Sequence, residues 1–276
     1  MSTPALSVVV PAYQNAAFID ETMDSILSQD FDDFEVIVAD HSSTDGTWDR
    51  LQRLADHPRV RLLRTPKGGG APRNFNRVSG EARGRYLKLV CGDDILLPGI
   101  LRRQVELLES NPGAVLTAGP RQIIDARGKI VLRSRGLGKL RSPAEGGEAI
   151  RATVRAGANL FGEPGSVTMV RSVLADEGNW FFDYPYLVDE ATYVRVLQHG
   201  HFVPDLVVGA AFRLNAEQTS MALAKYQHEQ VRAFHAWLRA SRPDVISDDD
   251  VRVGDRNARI TALKRRLAYA VLSRRM

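Results

Sequence analysis

Tyr86-Leu-Lys-Leu-Val-Cys-Gly-Asp-Asp-Ile-Leu-Leu-Pro-Gly99 is a short, mostly apolar run that stops abruptly at two carboxylates. Five residues rich in Leu, Val and Tyr, closed by Cys-Gly, read as a buried strand. Adjacent carboxylates at its end repel each other and lose hydration unless a cation or hydrogen-bond donors offset them. Mg²⁺ or Mn²⁺ held by one or two carboxylates together with substrate phosphates is one solution. A loop in which Asp94 and Pro98 merely lead into the next helix is the other, and the run alone leaves both open.

Upstream, short β-branched runs alternate with amphipathic segments, which predicts a parallel α/β sheet. Leu6 to Val10 reads as a first strand ended by Pro11, and residues 17–29 carry Phe18, Ile19, Met23, Ile26 and Leu27 at helical spacing. A second strand covers 34–39, with Asp40 at its carboxyl end. A helix opened by Thr44-Asp-Gly-Thr47, a strand at 60–63, the flexible loop Lys67-Gly-Gly-Gly70 and a helix over 72–82 follow. In open α/β sheets ligands sit beyond the carboxyl ends of the strands, where Asp40, Asp93 and Asp94 all fall. Asp40 can organise a turn there or accept a hydrogen bond from a base N–H.

Downstream, the pattern predicts a helix from residue 98, a strand at 114–118 and a hairpin turning at Asp125-Ala-Arg-Gly128. Ser142-Pro-Ala-Glu145 has the form of a capping box. A loop at 159–166, a strand at 166–170, a helix at 188–199, a strand at 206–213 and a helix at 221–240 complete the pattern.

The chain has 276 residues, 44% hydrophobic and 25% charged, enough for a sizeable core. No run reaches the roughly 18 apolar residues of a membrane span. A single cysteine, Cys91, is expected of a cytoplasmic protein and leaves oxygen ligands for any metal. The net charge of +4 is uneven: residues 251–276 hold eight Lys and Arg against Asp255, or +7, leaving −3 elsewhere. No basic stripe interleaved with aromatics suggests nucleic acid as a partner. In the tail, Ile260, Leu263, Leu267 and Val271 recur at helical spacing among basic residues. That stripe is expected to pack on the catalytic domain or on a partner chain; peripheral contact of residues 257–276 with an anionic membrane face is the alternative.

Taken in order, Val8-Val-Val-Pro-Ala-Tyr13, Val36-Ile-Val-Ala-Asp-His-Ser-Ser-Thr-Asp-Gly-Thr47, Arg73-Asn74 and the 86–99 run resemble glycosyltransferase family 2, the inverting enzymes with the GT-A fold. Phe161-Gly-Glu-Pro-Gly165, Phe182-Asp183 and Val188-Asp-Glu-Ala-Thr-Tyr-Val-Arg-Val-Leu-Gln-His-Gly200 continue the resemblance, which spans roughly residues 5–220. It implies an α/β catalytic domain over 1–220, with a mostly parallel central sheet and flanking helices. The nucleotide-sugar and metal half would be 1–118 and the acceptor half 119–220, with 221–276 a helical extension.

By the same resemblance, Pro11 and Tyr13 would line the nucleotide pocket, Asp40 would read the base and Arg73 would lie near the diphosphate. Asp93 would meet the ribose and a divalent cation, Mn or Mg, with Asp94 beside it. Asp189, six residues before Arg195 and eleven before Gly200, would be the catalytic base. Glu163 and Glu190 would contact the acceptor, a glycan or lipid-linked hydroxyl in polysaccharide synthesis. The donor would carry UDP or dTDP. First-turn acids favoured by the helix dipole are the structural reading of Asp189 and Glu190. Cys91, Val188 and Asn215 depart from the family pattern, which leaves a catalytically inactive binding module in view. A nucleotidyltransferase would want a Gly-rich basic loop after the first strand, and Pro11-Ala-Tyr-Gln-Asn15 is neither.

Overall fold

The protein, here a computed structural model, is described over residues 3–215 and 226–272. A seven-stranded sheet has the order β10-β6-β9-β4-β1-β2-β3. Its strands are β1 (Leu6–Ala12), β2 (Phe34–Asp40), β3 (Val60–Arg64), β4 (Tyr86–Leu89), β6 (Ala114–Ala118), β9 (Val167–Val170) and β10 (His201–Pro204). Only β9 runs antiparallel to its neighbours. A second sheet, β5-β11-β7-β8, joins Ile95–Leu96, Ala210–Arg213, Arg121–Ile124 and Ile130–Arg135.

Side-chain alternation divides the core between the two faces of the large sheet. Leu6, Val8, Val10, Phe34, Val36 and Val38 face α1 (Ile19–Leu27) and α4 (Ile100–Glu109). Val9, Ile37, Leu87 and Leu89 join the opposite cluster, which includes residues of α3 (Gly70–Gly80), α5 (Gly146–Ala156) and α7 (Val188–Val196). Strands covered on both faces read as unbroken apolar runs, which is why β1 and β4 are conspicuous in the sequence. Shorter α2 (Thr47–Gln52) and α6 (Arg171–Asp176) complete the flanking layers.

Several boundaries differ from the sequence reading. Pro11 does not end β1, which continues to Ala12 beside Asp40 of β2. The missing N–H would point toward β4, whose ladder ends where Val90 N–H donates to the Val9 carbonyl. Ser142–Glu145 forms no capping box, because Ala144 exchanges both backbone hydrogen bonds with Phe202, and α5 starts at Gly146. The strand expected at 206–213 starts only at Ala210, and another strand, β10, precedes it at His201–Pro204. Between them buried Asp205 pairs with Arg103 and accepts from the Val207 N–H, turning the chain.

At the C-terminal end, α8 (Gln227–Ser241) and α9 (Asp248–Leu272) share the main core through Val231, Phe234, Leu238, Ile246 and Ala258. The boundary expected at 220/221, and the start of the helix expected at 221–240, lie outside the described residues. Within the chain the described part of the tail stripe stays open, with Ile260 and Leu263 46% and 60% exposed. Instead α9 meets α5 through small residues. A Cβ on Gly157 would stand 2.3 Å from the Ala258 nitrogen, and one on Gly254 would stand 2.3 Å from the Val154 carbonyl. So close a crossing has no space for Ile or Leu. The side chains of Leu267 and Val271 lie outside the described residues. No helix among the described residues is long and apolar enough to cross a membrane.

Candidate active site

The carboxyl ends of β1, β2 and β4 bring the donor-side candidates together. Asp40 is fully buried at the end of β2, its Oδ2 accepting from the Ser43 N–H at 3.2 Å and forming an ion pair with Arg64 at 3.7 Å. Its Oδ1 has no hydrogen-bond partner in the structure. A buried acceptor left unpaired costs about 1–3 kcal/mol, which is a reason to expect a donor from a ligand. Tyr13 is 59% exposed, its ring 5.9 Å from that of His41, while Pro11 is buried beneath it in β1. The triple-glycine loop is ordered by its neighbours: His41 Nε2 lies 2.9 Å from the Gly68 carbonyl oxygen. Gly68, Gly69 and Gly70 all have positive φ, and exposed Arg73 follows in the first turn of α3.

Behind the 86–99 run, Gly92 lies against Asn15, where a Cβ would come within 2.5 Å of the Asn15 Oδ1. That oxygen also accepts from the Tyr13 N–H at 2.8 Å, so the Asp93 loop and the Tyr13 turn are built as one piece. Asp93 is 6% exposed and its carbonyl accepts from Arg213 Nε at 2.9 Å. Asp94 turns inward, accepting from the Arg213 N–H at 3.0 Å, and burial followed by the neighbouring Asp93 charge pushes its carboxyl well up. Arg213 also pairs with Glu21 at 2.6 Å and lies over the Phe18 ring.

Asp94, expected beside Asp93 at a metal, holds the β11 backbone through one of its oxygens, Oδ1. Among the described residues no three His, Cys, Asp or Glu side chains converge. The 86–99 loop offers two adjacent carboxylates, Asp93 and Asp94, and neither a histidine nor a metal-binding sulfur cluster. That fits a Mg²⁺ or Mn²⁺ ion completed by phosphate oxygens and water.

In the first turn of α7, Asp189 Oδ2 accepts from Asn159 Nδ2 at 3.1 Å and Oδ1 accepts from the Glu190 N–H at 2.9 Å. Burial, with the Glu163 charge second, raises its pKa to about 6. Glu190 points elsewhere: it is 3% exposed, accepts from Thr153 Oγ1 at 2.9 Å, and is pushed by burial up to about 8. Neighbouring carboxylates on α7 thus have different partners, Asn159 for Asp189 and Thr153 for Glu190. Glu163 is partly exposed and forms a two-pronged pair with Arg121; burial would raise its carboxyl, but the Arg121 charge and hydrogen bonds hold it below its ordinary value.

Cys91 lies between these groups. After burial, Asp94 and Asp93 on one hand and Asp189 and Glu163 on the other all push its thiol up. A neutral thiol thus stands where a third carboxylate would add to a crowded negative field. Arg195 and Gly200, whose spacing pointed to Asp189, are structural: Arg195 pairs with Glu177 at 2.7 Å, and a Cβ on Gly200 would meet the Gly113 carbonyl at 2.3 Å.

Four residues of the site were not singled out from sequence: Asn159, Arg121, Arg213 and Lys88. Lys88 is fully buried and donates to Gln104 Oε1 and to the carbonyls of Gly165 and Val167. Burial brings its pKa down to about 7. The one available signal was a lysine in the middle of an apolar strand.

A profile for glycosyl transferase family 2 matches residues 7–176. The chain belongs to glycosyl transferase family 2. An uncharacterised Mycobacterium tuberculosis protein, MT1568, is 32% identical over 203 residues, covering 70% of this chain and 62% of that one. The chain spans less than two thirds of the length of the first curated relatives it matches. Residues 1–349 of TarS from S. aureus, solved with UDP, superpose with a TM-score of 0.63 at 15% identity, over 83% of this chain and 65% of that one. A mannosyltransferase from Pyrobaculum calidifontis, solved with GDP-Man and Mn²⁺, gives 0.64 at 18% identity, over 98% of this chain and 76% of that one. Both share the GT-A fold of this family 2 chain.

Proposed function

We propose that this family 2 chain transfers a sugar, with inversion at C1, from a nucleotide diphosphate to a hydroxyl of a glycan or lipid-linked acceptor in polysaccharide synthesis. The observation that carries this reading is Asp189: a carboxylate at the head of α7, oriented by two donors and raised to about 6. A base near that value is ionised at neutral pH yet still basic enough to accept a proton in the transition state. The acceptor oxygen bonds to C1 as its proton passes to Asp189. The C1–O bond to the diphosphate breaks, and its electron pair leaves with the phosphate. A divalent ion held by Asp93 would offset that charge. No acid is required for departure, so protonated Glu190 has no chemical role and serves packing.

On the donor side, Tyr13 offers a ring face for the base, Arg73 lies toward the diphosphate and Asp40 Oδ1 awaits an N–H. Uracil and thymine present one ring N–H, matching one unpaired oxygen whose sister already holds Ser43. Guanine presents two adjacent donor sites and would leave one poorly met, so UDP and dTDP are proposed ahead of GDP. We place the reaction in the cytoplasm, consistent with the lone Cys91. The exposed Ile260 and Leu263, flanked by Arg256, Arg259 and Lys264, suit a peripheral contact with an anionic membrane face.

Calorimetric titration of UDP, dTDP and GDP with and without Mn²⁺, repeated on Asp93→Ala, tests the reading. Metal-dependent binding of a pyrimidine nucleotide that Asp93→Ala abolishes is expected. Absence of binding by every nucleotide would leave a fold without its donor chemistry.

A further inference from the structure

Residues 121–141 carry seven Lys and Arg against one acid, Asp125. That acid is spent inside the hairpin turn, where Oδ1 accepts from the N–H groups of Arg127 and Lys129. Arg127, Lys129, Arg133, Lys139 and Arg141 are exposed, and none forms an ion pair among the described residues. Exposed arginines elsewhere commonly do: Arg85 with Glu109, Arg102 with Asp30, Arg252 with Asp249. Like charges collected on one edge strand repel each other, and a one-sign surface raises the local concentration of opposite charge.

The cationic strand is continuous with the catalytic cleft. The Arg135 carbonyl accepts from Arg121 Nη1 at 3.2 Å, and Arg121 is the partner of Glu163. Two residues on, the Leu137 N–H donates to the Leu160 carbonyl at 2.6 Å, fastening the strand to the loop whose Asn159 holds Asp189. Gly136 and Gly162 both lie against the Arg121 guanidinium, where a Cβ would be 3.1 and 3.2 Å away.

We propose that the β7–β8 hairpin is the acceptor track and that the acceptor is a polyanionic glycan. Its repeated carboxylates or phosphodiesters lie along Arg133, Arg135, Lys139 and Arg141 while its terminal hydroxyl reaches Asp189. The proposal rests on the transferase reading and supplies the substrate class that reading lacks.

The test measures binding of fluorescent oligogalacturonate (carboxylate), oligo(glycerol phosphate) (phosphodiester) and neutral dextran oligomers. It is run on the full chain and on a triple variant, Arg133→Gln with Lys139→Gln and Arg141→Gln. Vesicles with and without phosphatidylglycerol form a further arm. The chain is expected to bind at least one charged oligomer, the preferred one identifying the anion, and to bind dextran undetectably. Binding should weaken with added salt. The triple variant should lose about tenfold in affinity, as three exposed pairs of modest strength predict. Its affinity for the donor nucleotide should be unchanged, which shows that it is folded. Equal binding of charged oligomers by both proteins, or of dextran and charged oligomers by the full chain, overturns the proposal. Binding to anionic vesicles alone also overturns it and assigns the hairpin to a membrane. Failure of the full chain to bind nucleotide would instead strike the transferase reading.

Discussion

Asn159 donates its side-chain amide to Asp189, so the loop bearing Glu163 and the helix bearing the proposed base are joined at the carboxylate itself. A hydrogen bond to the ionised form lowers a carboxyl pKa, and one to a charged group is worth roughly 1.5 kcal/mol or more. Asn159→Ala should therefore move the acidic limb of the kcat/KM profile upward from about 6 by about one unit. A pH–rate series at subsaturating acceptor checks this; an unmoved limb would mean that Asn159 only shapes the loop.

Asp189 must be deprotonated to act, so activity should fall tenfold per unit as pH drops below about 6 and level off above it. Asp189→Asn should cost about 10²–10⁴ in kcat. Its nucleotide affinity, measured by calorimetry, should equal that of the parent chain.

Asp93 and Asp94 stand side by side, yet they should answer differently to substitution. Asp93→Asn should abolish metal-dependent nucleotide binding. Asp94→Asn keeps an oxygen for the Arg213 N–H and should retain that binding, because the buried carboxyl already tends toward its neutral form. Mn²⁺ titrations of the two variants separate a ligand from a brace.

Glu190 is raised by burial from its ordinary 4.5 to about 8, so the folded protein holds a proton that the unfolded chain releases between those values. Stability should thus fall as pH rises through this window, by up to roughly 5 kcal/mol for a shift of this size. Glu190→Gln should flatten that dependence and gain most at pH 8, as urea unfolding at several pH values would reveal.

Gly92→Ala would drive a Cβ to 2.5 Å from Asn15 Oδ1 and part the Asp93 loop from the Tyr13 turn. Nucleotide affinity should drop while the melting temperature changes little, since both segments lie beyond the carboxyl ends of the strands. An unchanged affinity would show that the two segments bind independently.

The donor half is legible because its strands are covered on both faces: β1, β2 and β4 leave continuous apolar runs, and Asp40 and Asp93 stop those runs where the sheet opens. Side-chain direction is not legible. Asp94 and Glu190 each follow a site carboxylate by one residue and turn the other way, a choice made by Arg213 and Thr153 from distant segments. Arg121, Asn159 and Lys88 matter through partners that sequence proximity does not announce. The tail illustrates the same gap, since periodicity marked Ile260 and Leu263 while the packing used Gly254 and Ala258. Counting charge by halves also concealed the hairpin, where seven cations were balanced on paper by acids that lie elsewhere.

The glycine crossing of α5 with α9 also sets an order of events during synthesis. Gly157 and Val154 meet Gly254 and Ala258, about a hundred residues later in the chain. At roughly 5–20 residues per second, the inner layer beside the base would wait on the order of 5–20 s for its last wall. During that interval Ile150, Val154 and Phe161 have only part of their final cover, so the newborn acceptor half is where a chaperone would have most to hold.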